Sequence, residues 1–303
     1  MLLQLNGTEF YFDVEGAELE VSGGTLIAKP IVVALHGGPG SDHGYLKPGL
    51  GPLRDHAIVF VDLRGQGRSG RPPLASCTLE QMADDVAVLC AHLGIEHPVF
   101  FGHSAGGFVA LHLAIRHPAL PLGLIICDSA PTADAQNIDA GPTPNLASRA
   151  SPAAVVAAKR LFSGDASPAS LKSFGELVAP FYAGPSHMDV PSKIMRLSNA
   201  NPDVLQHFWG NLAADYDVRG ELSRIAAPTL VVYGRHDWIH PPAASRAIAD
   251  GVPGAELVEL AESAHLGFSE EPERFQEIVV DFLKRCREPE TSTQRMHRAA
   301  SRG

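Results

Sequence analysis

Cysteine is scarce in this sequence, and its spacing shows no pattern. Only four cysteines occur in 303 residues, and no two of them form a C-x-x-C pair. Domains that rely on disulfides carry many more cysteines, and zinc or redox motifs have closely spaced ones. We therefore expect reduced thiols at Cys77, Cys90, Cys127 and Cys286, as is typical of a cytoplasmic protein.

Long apolar segments and an excess of positive charge are also lacking. No apolar stretch approaches the roughly 20 residues of a transmembrane helix, and the N-terminus has neither the basic segment nor the apolar run of a signal peptide. The 34 acidic residues exceed the 24 lysines and arginines, for a formal net charge of −10. This charge argues against nucleic acid or an anionic membrane as the main partner. We expect a small-molecule substrate, and the sequence leaves the oligomeric state open.

The sequence does contain a series of short, almost purely apolar runs. Strands without polar alternation are covered on both faces, which is typical of parallel sheets with helices on each side. The runs are residues 31–37, 57–65, 99–104, 122–128, 229–234 and 255–260. Helical patterns alternate with them, most clearly over residues 78–95 and 104–118. The predicted fold is therefore α/β, a mostly parallel doubly wound sheet preceded by a β-rich meander over residues 1–30.

Residues 131–220 interrupt this alternation. They contain no strand-like run but several helical pieces that begin at proline. We predict a helical lid inserted between two strands, over the carboxyl edge of the sheet where such folds place their sites. The alternative is a helical subdomain that only adds stability. The core is then formed by residues 1–130 and 221–286, and the polar tail 287–303 is expected to be disordered.

The segment G-H-S-A-G at residues 102–106 stands between an apolar run and a helical pattern. A strand, a sharp turn and a helix around one serine form the context of a nucleophile elbow. Gly102 and Gly106 flank Ser104 at positions where a Cβ would collide across the turn. The helix that follows directs its N-terminal N–H groups at the serine and favours a developing negative charge. Ser104 is therefore the predicted nucleophile.

A serine nucleophile needs a base, and the base needs an orienting acid. With a nucleophile elbow, the chain order is serine, acid, histidine. Asp237 follows the run 229–234 and His265 follows the run 255–260, so both stand in loops at strand ends. We predict Asp237 as the acid and His265 as the base. Asp128, at the end of an earlier strand, is the rival acid, and a loop-capping carboxylate and an exposed histidine are the non-catalytic alternatives.

The oxyanion of a tetrahedral intermediate needs hydrogen-bond donors. The first predicted donor is the backbone N–H of Ala105, the residue after the nucleophile. The second comes from the loop after the first parallel strand, where glycine lets the backbone approach the substrate closely. Gly38 is the preferred candidate and Gly37 the second. Pro39 has no N–H and only fixes the loop.

Other ionisable residues near strand ends carry separate predictions. We interpret Asp62 and Arg64 as an internal ion pair that braces two glycine-rich loops, rather than as an ionic substrate site. His236 and His240 have i, i+4 spacing, but they flank Asp237 in a loop with no glutamate between them. We therefore predict no metal site. The chemistry expected of the serine nucleophile also needs no cofactor.

Together, these motifs resemble those of the α/β-hydrolase superfamily. The segments HGGPG at 36–40, DLRGQGRS at 62–69 and SAHLGFSEEP at 263–272 are most similar to the proline iminopeptidase branch. The likeness covers residues 25–285 apart from the predicted lid. It implies an α/β-hydrolase fold and these roles: Ser104 as nucleophile, Asp237 as acid, His265 as base, and Gly38 and Ala105 as the oxyanion hole.

Two features differ from the iminopeptidase pattern. That family has G-G-S-W-G at the elbow, and its lid supplies glutamates that bind the free amine of the substrate. Here the elbow is G-H-S-A-G, and Glu176 is the only glutamate in residues 131–220. A buried ammonium without paired carboxylates is costly, and the aromatic residues of this segment suit an apolar group instead. The predicted substrate-binding residues are Gly37, His103, Glu176, Phe208 and Trp209.

The sequence therefore predicts a cofactor-free serine hydrolase that cleaves a small ester, lactone or amide through an acyl-enzyme. The alternatives are an exopeptidase that removes N-terminal proline, a C–C bond hydrolase with the same serine chemistry, and a non-catalytic ligand-binding member of the fold. An epoxide hydrolase or haloalkane dehalogenase is disfavoured, because each needs a carboxylate nucleophile where Ser104 stands.

Overall fold

The six apolar runs form adjacent parallel strands of one eight-stranded sheet in the computed structural model, which describes residues 1–22, 25–53, 56–135, 138 and 144–286. The strands are β1 (Leu2–Leu5), β2 (Thr8–Glu15), β3 (Leu19–Ser22), β4 (Thr25–Ala28), β5 (Val32–Leu35), β6 (Ile58–Val61), β7 (Val99–His103), β8 (Gly123–Cys127), β9 (Thr229–Gly234) and β10 (Glu256–Leu260). Their order is β1-β2-β6-β5-β7-β8-β9-β10, and β3 and β4 pair as a separate hairpin. Strands β5 to β10 are parallel, whereas β1 and β2 are antiparallel additions at one edge. The predicted mostly parallel sheet is confirmed.

Helices cover both faces of this sheet, and further helices occupy the chain between β8 and β9. They are α1 (Lys47–Leu50), α2 (Leu79–His92), α3 (Ala105–Arg116), α4 (Pro152–Phe162), α5 (Pro168–Leu177), α6 (Val190–Ile194), α7 (Pro202–His207), α8 (Pro242–Gly251), α9 (Gly267–Glu270) and α10 (Pro272–Arg285). The side chain of Thr78 caps α2 by accepting the N–H of Gln81 at 3.2 Å. A Thr cap of this kind satisfies one of the free N–H groups in the first turn. Both clear helical patterns of the sequence are therefore confirmed.

Alternate residues of the central strands face two separate hydrophobic clusters. In β5, Val33 and Leu35 belong to the cluster that contains α2, α3 and α8, whereas Val32 and Ala34 belong to the cluster that contains α10. Strands β5 to β9 are buried along their whole length. In contrast, β10 is mostly exposed at the edge of the sheet. The prediction that its apolar run is covered on both faces is wrong, because β10 is the last strand of the sheet and only Leu260 of its five residues is buried.

The chain between β8 and β9 contains α4 to α7, and its described residues form no strand longer than an isolated bridge. A third hydrophobic cluster joins residues of α4, and Phe174 of α5, to Trp238 in the loop after β9. The lid role of residues 131–220, and the division of the core into 1–130 and 221–286, remain predictions. The tail 287–303 lies outside the described residues. Within the described part of the chain, no helix is long and apolar enough to cross a membrane.

Candidate active site

Ser104 lies at the turn between β7 and α3 with an unusual backbone conformation. Its φ is 53° and its ψ is −124°, a region that residues other than glycine rarely adopt. The turn is so tight that a Cβ on Gly106 would overlap the carbonyl oxygens of Leu35 and His36. A Cβ on Gly102 would lie 2.6 Å from the carbonyl oxygen of Gly106. These close approaches explain why glycine stands on both sides of the serine.

The loops after β9 and β10 bring Asp237 and His265 to Ser104. Nε2 of His265 lies 3.0 Å from Oγ of Ser104, and Nδ1 of His265 lies 2.8 Å from Oδ2 of Asp237. All three side chains are buried. The other oxygen of Asp237, Oδ1, accepts the N–H groups of Ile239 and His240 at 2.8 and 3.1 Å. Three predicted site residues thus form one hydrogen-bonded chain.

Burial controls the protonation of these groups. It lowers the pKa of His265, so the imidazole is neutral at neutral pH. With its proton on Nδ1, toward Asp237, this ring presents a free lone pair at Nε2 to the serine hydroxyl. Burial also raises the pKa of Asp237, whereas the N–H groups of His240 and Ile239 favour its carboxylate form. The arrangement suits a general base held in a single tautomer.

Asp128, the rival acid, hydrogen-bonds to backbone groups rather than to His265. Its Oδ1 accepts the N–H of Gly234 at 2.8 Å, and its Oδ2 accepts the N–H of Gly267 at 3.3 Å. Burial and the nearby Asp237 raise the pKa of Asp128. Asp128 therefore connects the ends of neighbouring loops, and Asp237 is the carboxylate in contact with the histidine.

Gly38 and Ala105 border the space beside the Ser104 hydroxyl. Ala105 is the first residue of α3, where N–H groups have no partner within the helix. Gly38 has a φ of 57° and lines the same cavity as Ala105. The N–H of Gly37, by contrast, donates to Oη of Tyr45 at 2.6 Å. This contact favours Gly38 over Gly37 as a donor to a bound molecule.

A cavity of about 240 Å³ adjoins Ser104 and His265. Its walls are mainly apolar. They include Phe108, Leu161, Phe162, Phe174, Trp209 and Ile239. None of the described residues that line this cavity is an aspartate, glutamate, lysine or arginine. The cavity therefore suits an uncharged, largely apolar molecule.

Residues 30–272 match the family model described as the alpha/beta hydrolase fold. The chain belongs to the α/β-hydrolase family. It is 32% identical over 259 residues to a protein from Rhizobium rhizogenes named putative carbamate hydrolase RutD, a match that covers 85% of this chain and 93% of that protein.

Solved structures of other α/β hydrolases have the same architecture. A thermophilic esterase from Thermogutta terrifontis superposes with a TM-score of 0.71 at 27% identity, covering 95% of this chain and 97% of the esterase. A proline iminopeptidase from Mycobacterium smegmatis superposes with a TM-score of 0.70 at 22% identity, covering 94% of this chain and 98% of the other. The second likeness shows a shared fold alone.

Of the five predicted substrate-binding residues of this α/β hydrolase, Gly37, His103 and Trp209 line the cavity. Phe208 instead lines a smaller neighbouring cavity of about 20 Å³. Its ring packs against Phe108 with a centroid distance of 6.1 Å. Phe208 therefore supports the wall of the main cavity from behind.

Glu176 does not line the cavity. Its side chain is 65% exposed on α5, with a carboxylate oxygen 3.9 Å from Nζ of Lys172 one turn earlier. A surface pair of this kind contributes little to stability. The predicted contact of Glu176 with substrate is therefore wrong for this arrangement, because α5 turns this residue toward solvent.

Among the cavity-lining rings that were not identified from the sequence as substrate contacts are Tyr45 and His240, whereas Tyr182 is one of the aromatic residues of segment 131–220 expected to suit an apolar group. The ring of Tyr182 packs against His265 at a centroid distance of 5.4 Å, and its carbonyl accepts the His265 N–H at 2.9 Å. His240 lies 5.3 Å from His265 between ring centroids. No motif marks these residues, and only the folding of distant segments brings them to the site. Among the described residues, no group of three or more His, Cys, Asp or Glu side chains is arranged to hold a metal ion.

The predicted ion pair between Asp62 and Arg64 is wrong. Nε of Arg64 lies 2.6 Å from Oδ2 of Asp85 on α2, whereas Oδ1 of Asp62 lies 2.6 Å from Nδ1 of His43. Both Asp62 and Arg64 are buried. Because the chain turns after β6, the two side chains point to different neighbours. They hold the loops of this α/β hydrolase together by separate contacts.

Proposed function

We propose that this α/β hydrolase is a serine hydrolase that cleaves a small, uncharged ester, lactone or amide through an acyl-enzyme. The observation that carries the proposal is the hydrogen-bonded chain from Ser104 through His265 to Asp237, at the wall of an apolar cavity. A serine with a positioned base and orienting acid is the arrangement that nucleophilic acyl transfer needs.

In the proposed reaction, Nε2 of His265 takes the proton of Ser104 as Oγ attacks the substrate carbonyl carbon. The N–H groups of Gly38 and Ala105 stabilise the resulting oxyanion, and Asp237 stabilises the imidazolium. His265 then gives its proton to the leaving group as the bond to the carbonyl carbon breaks. A water molecule, deprotonated by His265, hydrolyses the ester on Ser104 and regenerates the free hydroxyl.

The lining of the cavity favours a substrate whose acyl group carries no charge. No carboxylate is present among the described residues that line it, so the ammonium of an N-terminal proline would be buried without a partner. This disfavours the proline iminopeptidase alternative. The likeness to a thermophilic esterase supports ester substrates, and the likeness to a putative carbamate hydrolase adds carbamates to the substrates to be tested.

The test is an activity screen with the purified protein over 4-nitrophenyl acetate and butyrate, simple lactones, a carbamate ester and proline 4-nitroanilide. We expect turnover of the esters, and a loss of several orders of magnitude in Ser104→Ala. Labelling of Ser104 by a fluorophosphonate probe is expected in the wild type alone. Ester hydrolysis that persists in Ser104→Ala contradicts the proposal, and absence of both labelling and turnover favours the non-catalytic alternative.

A further inference from the structure

A chain of buried hydrogen bonds connects three loops of the site and takes no direct part in the proposed reaction. It begins at the N–H of Gly37, which donates to Oη of Tyr45 at 2.6 Å. Oη of Tyr45 lies 2.7 Å from Nδ1 of His103. Nε2 of His103 lies 2.7 Å from the carbonyl oxygen of His265. The chain thus runs from the loop after β5, past the end of β7, to the loop after β10.

The direction of every hydrogen bond in this chain follows from its two ends. A backbone N–H only donates, and a carbonyl oxygen only accepts. Oη of Tyr45 therefore accepts from Gly37 and donates its own proton to Nδ1 of His103. His103 then carries its proton on Nε2, which donates to the carbonyl of His265. Burial, together with the nearby His265 imidazole, lowers the pKa of His103 well below its usual value, and the neutral ring matches this assignment.

The chain is shielded from solvent and tightly packed. Tyr45 is 7% exposed, and His103 and His265 are each 2% exposed. The rings of Tyr45 and His103 contact each other edge to face at a centroid distance of 5.5 Å. Since these groups are buried, removing one hydroxyl leaves its former partners without a replacement from another side chain. A buried and fully paired network of this kind makes the surrounding backbone rigid.

The two ends of the chain adjoin the groups that the reaction uses. Gly37 directly precedes Gly38, the proposed oxyanion donor, and a Cβ on Gly37 would lie 2.5 Å from Cβ of Ser104. The loop after β5 therefore lies directly against the nucleophile. At the other end, the bonded carbonyl belongs to His265, the proposed base.

We infer that Tyr45 and His103 are positioning residues. They hold the oxyanion loop, which follows β5 and carries Gly38, and the base loop, which follows β10 and carries His265, at fixed places around Ser104. They act through Gly37 and His265 and do not touch the reacting atoms. Their effect on turnover rests on the proposed serine hydrolase function. The hydrogen-bond directions in the chain do not depend on it.

The first test compares Tyr45→Phe with Tyr216→Phe. Tyr216 is a matched control, because it is 4% exposed and its hydroxyl donates to the carbonyl of Ala130 at 2.9 Å, away from the chain. Both variants lose one buried hydroxyl. We expect Tyr45→Phe to lower kcat on 4-nitrophenyl butyrate roughly 10- to 100-fold, with KM changed less than about threefold, because displaced catalytic groups slow the chemistry more than binding. Tyr216→Phe should keep the kcat of the wild type. Equal kcat values in the two variants overturn the inference.

The second test compares His103→Gln with His103→Leu. A glutamine amide accepts with Oε1 and donates with Nε2, so it offers both functions of the neutral imidazole in this chain. Leucine offers neither. We expect His103→Gln to recover most of the kcat that His103→Leu loses. Equal losses in both variants, with thermal unfolding showing that both fold, contradict a positioning role through hydrogen bonds.

A third measurement is independent of activity. The side-chain ¹⁵N signals of His103 in the wild type should show a neutral ring with its proton on Nε2. In Tyr45→Phe, the Nδ1 signal should shift as it loses its donor. A proton on Nδ1 in the wild type, or an unchanged Nδ1 signal in Tyr45→Phe, overturns the inference. If the wild type cleaves none of the screened substrates, the proposed function fails while this measurement still decides whether the chain exists.

Discussion

Ser104, the proposed nucleophile, has a backbone conformation that costs stability. A φ of 53° is ordinary for glycine but strained for serine, at about 1–3 kcal/mol per residue in such regions. The conformation persists because β7, α3 and the carbonyls packed against Gly106 leave the turn no room to relax. The strain places the hydroxyl beside His265.

Replacing Ser104 by glycine should therefore stabilise the fold while it abolishes the proposed activity. We expect the free energy of unfolding of Ser104→Gly to exceed that of Ser104→Ala by about 1 kcal/mol, because glycine adopts a positive φ without strain. Urea denaturation of the two variants measures this difference. Equal stability of both variants contradicts a strained nucleophile.

Among the loops and helices, the segment that carries His265 is held by a carboxylate from the short helix that follows it. Glu270 of α9 accepts the N–H groups of Ala264 and Leu266, on either side of His265, at 3.0 and 2.9 Å. It also accepts the N–H of Gly184, from the chain between β8 and β9. Burial raises the pKa of Glu270 to about 7. One buried side chain thus sets the path of the base loop.

Glu270→Gln should destabilise the protein, because an amide nitrogen cannot accept the N–H groups that a carboxyl oxygen accepts. We expect a loss of about 1–3 kcal/mol in the free energy of unfolding. The pKa of Glu270 is higher in the folded protein than in the unfolded chain, so protonation of Glu270 stabilises the fold. This contribution is fully present below pH 4.5 and is lost as the pH rises through about 7. Urea denaturation should therefore show a larger advantage of the wild type over Glu270→Gln at acidic pH than at alkaline pH.

The control for this prediction is Glu271→Gln, the same change at the next residue. Glu271 accepts the hydroxyl of Ser263 and the N–H of Glu262 and does not hold the backbone on either side of His265. We expect a smaller loss of stability there than in Glu270→Gln. A wild-type advantage over Glu270→Gln that grows toward alkaline pH contradicts the raised pKa of Glu270.

For the molecule as a whole, the cavity is assembled from segments far apart in the sequence. Phe108 comes from α3, Phe162 from α4, Trp209 from the turn after α7, and Ile239 from the loop after β9. The rings of Phe162 and Trp209 pack against each other at a centroid distance of 5.0 Å. The volume open to an acyl group therefore depends on how the chain between β8 and β9 packs onto the sheet.

Trp209→Ala should enlarge this cavity and shift the preference toward longer acyl chains. We expect the ratio of kcat/KM for 4-nitrophenyl octanoate over butyrate to rise roughly tenfold, in line with the effect of a few methylene groups in an apolar pocket. Phe208→Ala is the comparison, because Phe208 lines only the smaller cavity and supports the main wall from behind, so we expect a smaller shift there. The same shift in both variants, or none in Trp209→Ala, shows that Trp209 does not limit the acyl length.

Much of the fold and part of the site follow from local patterns. Unbroken apolar runs mark β5 to β9, because a parallel strand covered by helices on both faces has no polar side. The G-x-S-x-G turn marks Ser104, because a short sequence alone sets the strand, the turn and the helix around it. The chain order of serine, acid and histidine then points to Asp237 and His265. These signals are short in range, so the amino-acid order carries them directly.

Side-chain partners were decided by the packing of distant segments. Both Asp128 and Asp237 follow strands, but the neighbouring loops direct only Asp237 to His265. Arg64 binds Asp85 rather than Asp62, and Glu176 faces solvent. The composition of a helix or loop does not determine how that element is oriented in the folded chain. The contact of Tyr45 with His103 joins residues 58 positions apart. Such contacts depend on the order of strands in the sheet and the closure of loops above it, and these arise only when the whole chain folds.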